Sequence, residues 1–87
     1  MEKREEQAVS SIKEIDLRGL LCPLTWARTR YALESLNPGD ELLVLLDHRP
    51  AVPDIKRNAE ELGHEILIAR ELPSVGASVW EMRIKRA

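Results

Sequence analysis

At 87 residues the chain is too short for two ordinary domains, yet long enough to fold around one core without a disulfide or a metal, so a single domain is expected. Hydrophobic residues at 44% against 32% charged exclude disorder, and the longest apolar run, Leu42 to Leu46, is far too short to cross a bilayer. A net charge of −2, the lack of a long basic run and the scarcity of aromatics (Trp26, Tyr31 and Trp80) argue against direct nucleic-acid binding.

Residues 1–11 carry both signs of charge without a sustained apolar period and are expected to be a mobile tail before a single domain at 12–87. They lack the apolar block of a secretory signal, which points to a cytoplasmic location and a reduced thiol. The stretch IKEIDLR alternates Ile15 and Leu17 against Glu14 and Asp16, as a strand with one buried face does. Gly19 interrupts it. From Pro23 the period becomes helical, with Trp26, Thr29, Ala32, Leu33 and Leu36 on one side and Arg28, Arg30, Glu34 and Ser35 on the other. Pro23 suits the first turn, where its missing N–H costs no hydrogen bond, and Cys22 then falls at or near the N-cap. The tetrapeptide NPGD, 37–40, ends the helix in a turn.

ELLVLLD is apolar on both faces, as a central strand would be. After the loop DHRPA a second helix is expected from about Val52, with Val52, Ile55, Ala59 and Leu62 inward and Lys56, Arg57, Glu60 and Glu61 outward. Pro53 fits only a first turn, which sets the start near Ala51 or Val52, and Asp54 lies where the helix dipole favours an acid. Gly63 terminates the helix. HEILIARE sets Ile66 and Ile68 against Leu67 and Ala69, LPSVGAS supplies a turn, and the last strand sets Trp80, Met82 and Ile84 against Glu81, Arg83 and Lys85. The order β-α-β-α-β-β, with right-handed crossovers, predicts an α/β (α+β) two-layer sandwich: a mixed four-stranded sheet with both helices on one face. Its other face stays partly open, either as a tolerated cost or as a docking surface.

In such sheets the functional crevice lies at the carboxyl ends of the parallel strands. Cys22 and the loop Asp47, His48, Arg49 and Pro50 are therefore expected on the same rim. A lone cysteine is often a small buried hydrophobe. Placed between a bend and a helix start it is more exposed, and the free N–H groups and positive dipole end there favour an anionic sulfur, thiolate or persulfide. No histidine or acid is fixed beside Cys22 by local sequence, so hydrolysis of the Cys-His type has little support, whereas transfer between thiols needs no such base. Arg18 either draws anions toward Cys22 or pairs with Asp16, and His48 either assists proton movement or is an ordinary loop histidine. His64 reads as the start of a strand with a local hydrogen bond. Arg28, Arg30 and Arg57 offer a surface to an acidic partner or are simply solvated.

DLRGLLCPLT before an amphipathic helix, then NPGDELLVLLD and DIKRNAEELGHEIL, resembles the TusA/SirA-like family of small sulfur-carrier proteins from about Ile15 to the last strand. The run Arg-Gly-Leu-x-Cys-Pro and the later Gly-His pair carry the likeness most specifically. The resemblance implies that the motif cysteine, Cys22, accepts sulfane sulfur as a persulfide from a donor protein, a cysteine desulfurase or a rhodanese. An acceptor protein would then take it toward tRNA thiolation, cofactor biosynthesis or sulfur oxidation. It implies a monomer or weak dimer that acts as a carrier rather than a multiple-turnover enzyme, with no cofactor or metal of its own and no membrane partner. The expected partner contacts are Arg18, Gly19, Pro23, Thr25, Arg28, His48 and Arg49. The family motif is usually Cys-Pro-x-Pro; Thr25 stands at the second proline, restoring an N–H and adding a hydroxyl that can bond locally. The alternatives are a protein-binding adaptor that handles no sulfur and, by fold likeness to a translation-factor domain, a nucleic-acid binder, which the acidic balance opposes.

Overall fold

Period-two burial in the second strand organises the molecule: Leu42, Val44 and Leu46 are fully buried, while Glu41, Leu43 and Leu45 between them are half-buried. The computed structural model describes residues 12–73, 76 and 78–87; the expected tail 1–11 and parts of the LPSVGAS turn lie outside the described residues. The elements are β1 (Ile12–Asp16), α1 (Leu24–Glu34), β2 (Glu41–Leu46), α2 (Ala51–Glu61), β3 (Glu65–Leu72) and β4 (Val79–Lys85). The sheet order is β1-β2-β4-β3, with β1 parallel to β2 and β4 antiparallel to both of its neighbours. The last strand thus slots between the two that α2 connects, and β2 and β4 hold the centre.

Leu33 from α1, Ile55 from α2, Leu42, Val44 and Leu46 from β2, and Met82 and Ile84 from β4 form one cluster. Each of these side chains contributes roughly 1.5–3 kcal/mol relative to an exposed position. On the opposite face the Arg70–Glu81 pair (3.0 Å) and the Arg83–Glu41 pair (3.6 Å) flank half-buried Leu43 and Leu45. The latter pair is beyond hydrogen-bond reach, so Glu41 Oε1 and Arg83 Nε attract without bonding. That face is therefore mixed in character rather than a continuous apolar patch.

The helix boundaries follow their punctuation. Pro50 caps α2, Pro53 sits in its first turn, and Gly63, at φ +93°, closes its end. There the N–H of Gly63 donates to Glu60 O and that of His64 to Ala59 O, which satisfies two terminal carbonyls. Three expectations need correction. Leu62 is exposed rather than inward, because the turn at Gly63 carries it off the helical stripe. A bulge between Ile66 and Ile68 breaks the alternation of β3, so Ile66 packs on the core while Ile68 stands opposite Arg83. Thr25, read as a partner contact, is 0% exposed and packs inward with Thr29, whose hydroxyl donates to Thr25 O at 2.8 Å.

Candidate functional site

The rim is assembled at the carboxyl ends of β1 and β2. Leu17 N–H donates to Leu45 O (2.9 Å), extending the parallel ladder one residue past β1 and burying the Leu17 side chain. The chain then turns, with Leu20 N–H donating to Leu17 O and Gly19 at φ +93°, a conformation open to glycine. Gly19 N–H donates to Asp47 Oδ1 at 2.9 Å, which joins the loop after β1 to the loop after β2. The expected proximity of Cys22's segment and the 47–50 loop is thus carried by a bond to Asp47, the first residue of that loop.

Cys22 is an exposed free thiol. Pro23 occupies the N-cap and the peptide before it is cis. Cys22 therefore lies one position ahead of the cap. The N–H groups of Leu24 and Thr25 both donate to Leu21 O (2.9 and 3.4 Å), so these two are not aimed at the sulfur. A hydroxyl stands there instead: Sγ lies 3.7 Å from Thr25 Oγ1. Thr25 thus does two things a proline there would not, using its N–H on Leu21 and its hydroxyl on the thiol from a buried position beneath it. Direct contact with a partner is closed to it.

On either side of the thiol, Leu21 is 61% and Leu24 54% exposed. Leu21 precedes α1 and Leu24 lies off its inward stripe; the helical period read from the sequence includes neither, though two leucines bracketing a Cys-Pro step are a signal for an exposed apolar collar. Arg18 is engaged with Asp16: its Nε and Nη2 donate to the two carboxylate oxygens at 2.9 and 2.7 Å, and its main-chain N–H adds a third bond at 3.1 Å. These hydrogen bonds hold the Asp16 carboxyl down at about 2. The pairing reading of Arg18 is therefore the one the geometry supports. His48 and Arg49 open α2 through their carbonyls, which accept from Ala51 and Val52 N–H, and among the described residues neither side chain bonds to Cys22. Arg28 lies on the flank of α1, lining a cleft rather than the rim.

Among the described residues no group of His, Cys, Asp and Glu is arranged to hold a metal, and no helix is long and apolar enough to cross a membrane. An exposed thiol with apolar neighbours and no adjacent base suits attack on, or by, another sulfur.

The family described as sulfurtransferase TusA matches residues 13–86. A candidate sulfur carrier protein of Archaeoglobus fulgidus is 36% identical over 84 residues, covering 97% of this chain and 92% of that protein. A similarly described protein of Methanocaldococcus jannaschii is 42% identical over 66 residues, 76% of this chain and 88% of its own. The crystal structure of a SirA-like protein from Desulfitobacterium hafniense superposes with a TM-score of 0.66 at 28% identity, covering 85% of this chain and 95% of that one. With nearly the whole folded region matched and the Cys-Pro step standing at the rim, the chain belongs to the TusA sulfurtransferase family.

Proposed function

We propose that Cys22 is the sulfur-bearing atom of a persulfide relay. The observation that carries this reading is the exposed, free Cys22 thiol at the head of α1, set between two exposed leucines and hydrogen-bonded to the Thr25 hydroxyl. In the loading step the Cys22 thiolate attacks the terminal sulfur of a donor persulfide. A new S–S bond forms, the donor's S–S bond breaks, and the donor leaves as a thiolate that takes up a proton. In the unloading step an acceptor thiolate attacks the terminal sulfur of Cys22-S-SH and Cys22 departs as the thiolate. Sulfane sulfur keeps its oxidation state in both steps, so no external oxidant or reductant is consumed. The donor is a cysteine desulfurase or a rhodanese and the acceptor another cytoplasmic protein. Leu21 and Leu24 would exclude water around the transferring sulfur once a partner is seated.

Intact-protein mass spectrometry after incubation with a persulfide-loaded donor tests this. The expected result is a mass increase of one sulfur atom, removed by dithiothreitol and absent in Cys22→Ala. A protein that stays unmodified with several competent donors overturns the proposal. If partners captured from a lysate and the cellular phenotype both survive Cys22→Ser, the adaptor reading takes its place.

A further inference from the structure

β1 is an edge strand: among the described residues it pairs with β2 alone. Because Leu17 N–H bonds Leu45 O, the main-chain groups of Leu17, Ile15 and Lys13 face β2, while those of Glu14 and Asp16 face outward. Beside this free edge runs a cleft of about 260 Å³ between β1 and α1. Ile15, Leu17 and Ala32 supply its apolar part, and Lys13, Arg28 and Tyr31 its rim. Tyr31 is 76% exposed. Neither Lys13 nor Arg28 has an ion-pair partner among the described residues, whereas the one acid lining the cleft, Asp16, is already held by Arg18. The cleft thus combines an unpaired strand edge, an apolar strip and two uncompensated positive charges on a protein whose net charge is −2.

We propose that this cleft takes an extended acidic segment of a partner protein, which adds to the sheet as a strand along β1. Strand addition supplies affinity through the main chain, and alternate side chains of the segment read the cleft. An acid, an apolar residue and an acid at i, i+2 and i+4 span roughly 13 Å of extended chain, the length from Lys13 past Ile15 to Leu17, the three alternate strand residues that line the cleft. The charges choose an acidic occupant over a basic one and raise its encounter rate. The surface does not require sulfur transfer, and its test is run on the full chain carrying Cys22→Ser, so failure of the relay leaves this question intact.

The probe is the capped peptide Thr-Glu-Thr-Val-Thr-Glu-Thr, with a control in which both Glu are Lys. NMR titration is expected to show saturable shifts in β1 and around Arg28 and Tyr31 for the acidic peptide only. The Glu14 and Asp16 amides should exchange about tenfold more slowly at saturation. Lys13→Glu combined with Arg28→Glu should weaken the acidic peptide about tenfold and admit the basic control. Equal binding of the two peptides, or unprotected Glu14 and Asp16 amides, overturns the proposal. So does complete displacement of the peptide by millimolar inorganic phosphate, which makes the cleft a small-anion site. Protection of the same amides by raising protein concentration without peptide also overturns it and assigns the edge to a second copy.

Discussion

The two helices begin alike and are used differently. Each follows a parallel strand, each has proline at its cap, and neither cap has a side-chain hydrogen bond. α2 nevertheless carries Asp54 in its first turn, tied to Arg57 and Asn58, so its positive end is neutralised from within. α1 has no acid in its first turn, and the exposed thiol sits just ahead of it. A helix whose dipole is not offset by an acid in its first turn favours an anion approaching its start, and an anionic reagent drawn toward Cys22 is such a charge. The difference between the two helix starts is one carboxylate.

Both helices are anchored below by a fully buried side chain, Leu33 in α1 and Ile55 in α2. Leu33→Ala in α1 and Ile55→Ala in α2 should each cost about 2–5 kcal/mol in urea unfolding, since both side chains are fully buried; a much smaller cost for either would mean that helix is only loosely held. Transplanting the missing acid is the sharper test. Leu24→Glu should leave thermal stability unchanged or slightly raised, yet slow the reaction of Cys22 with the anionic disulfide DTNB about fivefold at low ionic strength, the effect shrinking with added salt. The converse, Asp54→Asn, should lower stability by about 0.3–1 kcal/mol and leave the DTNB rate alone.

Two smaller effects concern the groups around these helices. Thr25→Val keeps the buried shape but deletes the hydroxyl 3.7 Å from Sγ, and should slow alkylation of Cys22 by iodoacetamide about threefold with little change in melting temperature. His64 accepts the Ala87 N–H through Nδ1 (3.0 Å), and burial together with the Arg86 charge lowers its pKa below 6.5. The unfolded chain then binds more protons in the window between the folded value and 6.5, so stability rises with pH there and is lost as pH falls through it. A melting-temperature series from about pH 7 to pH 5 should decline less in His64→Gln than in the parent. The Asp16 contribution is lost only at far lower pH, between 3.8 and about 2.

The elements whose side chains simply alternate or recur were legible from the residues alone. β2 and β4 sort their side chains onto two faces as spaced, Pro53 fixes the start of α2 by steric exclusion, and Gly63 marks its end. The Cys-Pro step also announced the rim. What stayed hidden depends on neighbours distant in the chain. The β3 bulge exists only against β4, so local alternation could not reveal it. Thr29 was legible on the inward stripe of α1, but Thr25 looks like a surface residue until its buried place beneath the thiol is seen, with its carbonyl accepting the Thr29 hydroxyl inside the helix. The cleft beside β1 follows from strand order, which the period of no single segment contains.

Asp47 spends one carboxylate oxygen on an amide 28 positions away, at Gly19. Gly19 lies on the exposed rim, where an unbonded amide would trade its proton with water freely. Its exchange rate therefore counts how often the two loops come apart, and a partner gripping either loop would register at that one proton without touching it.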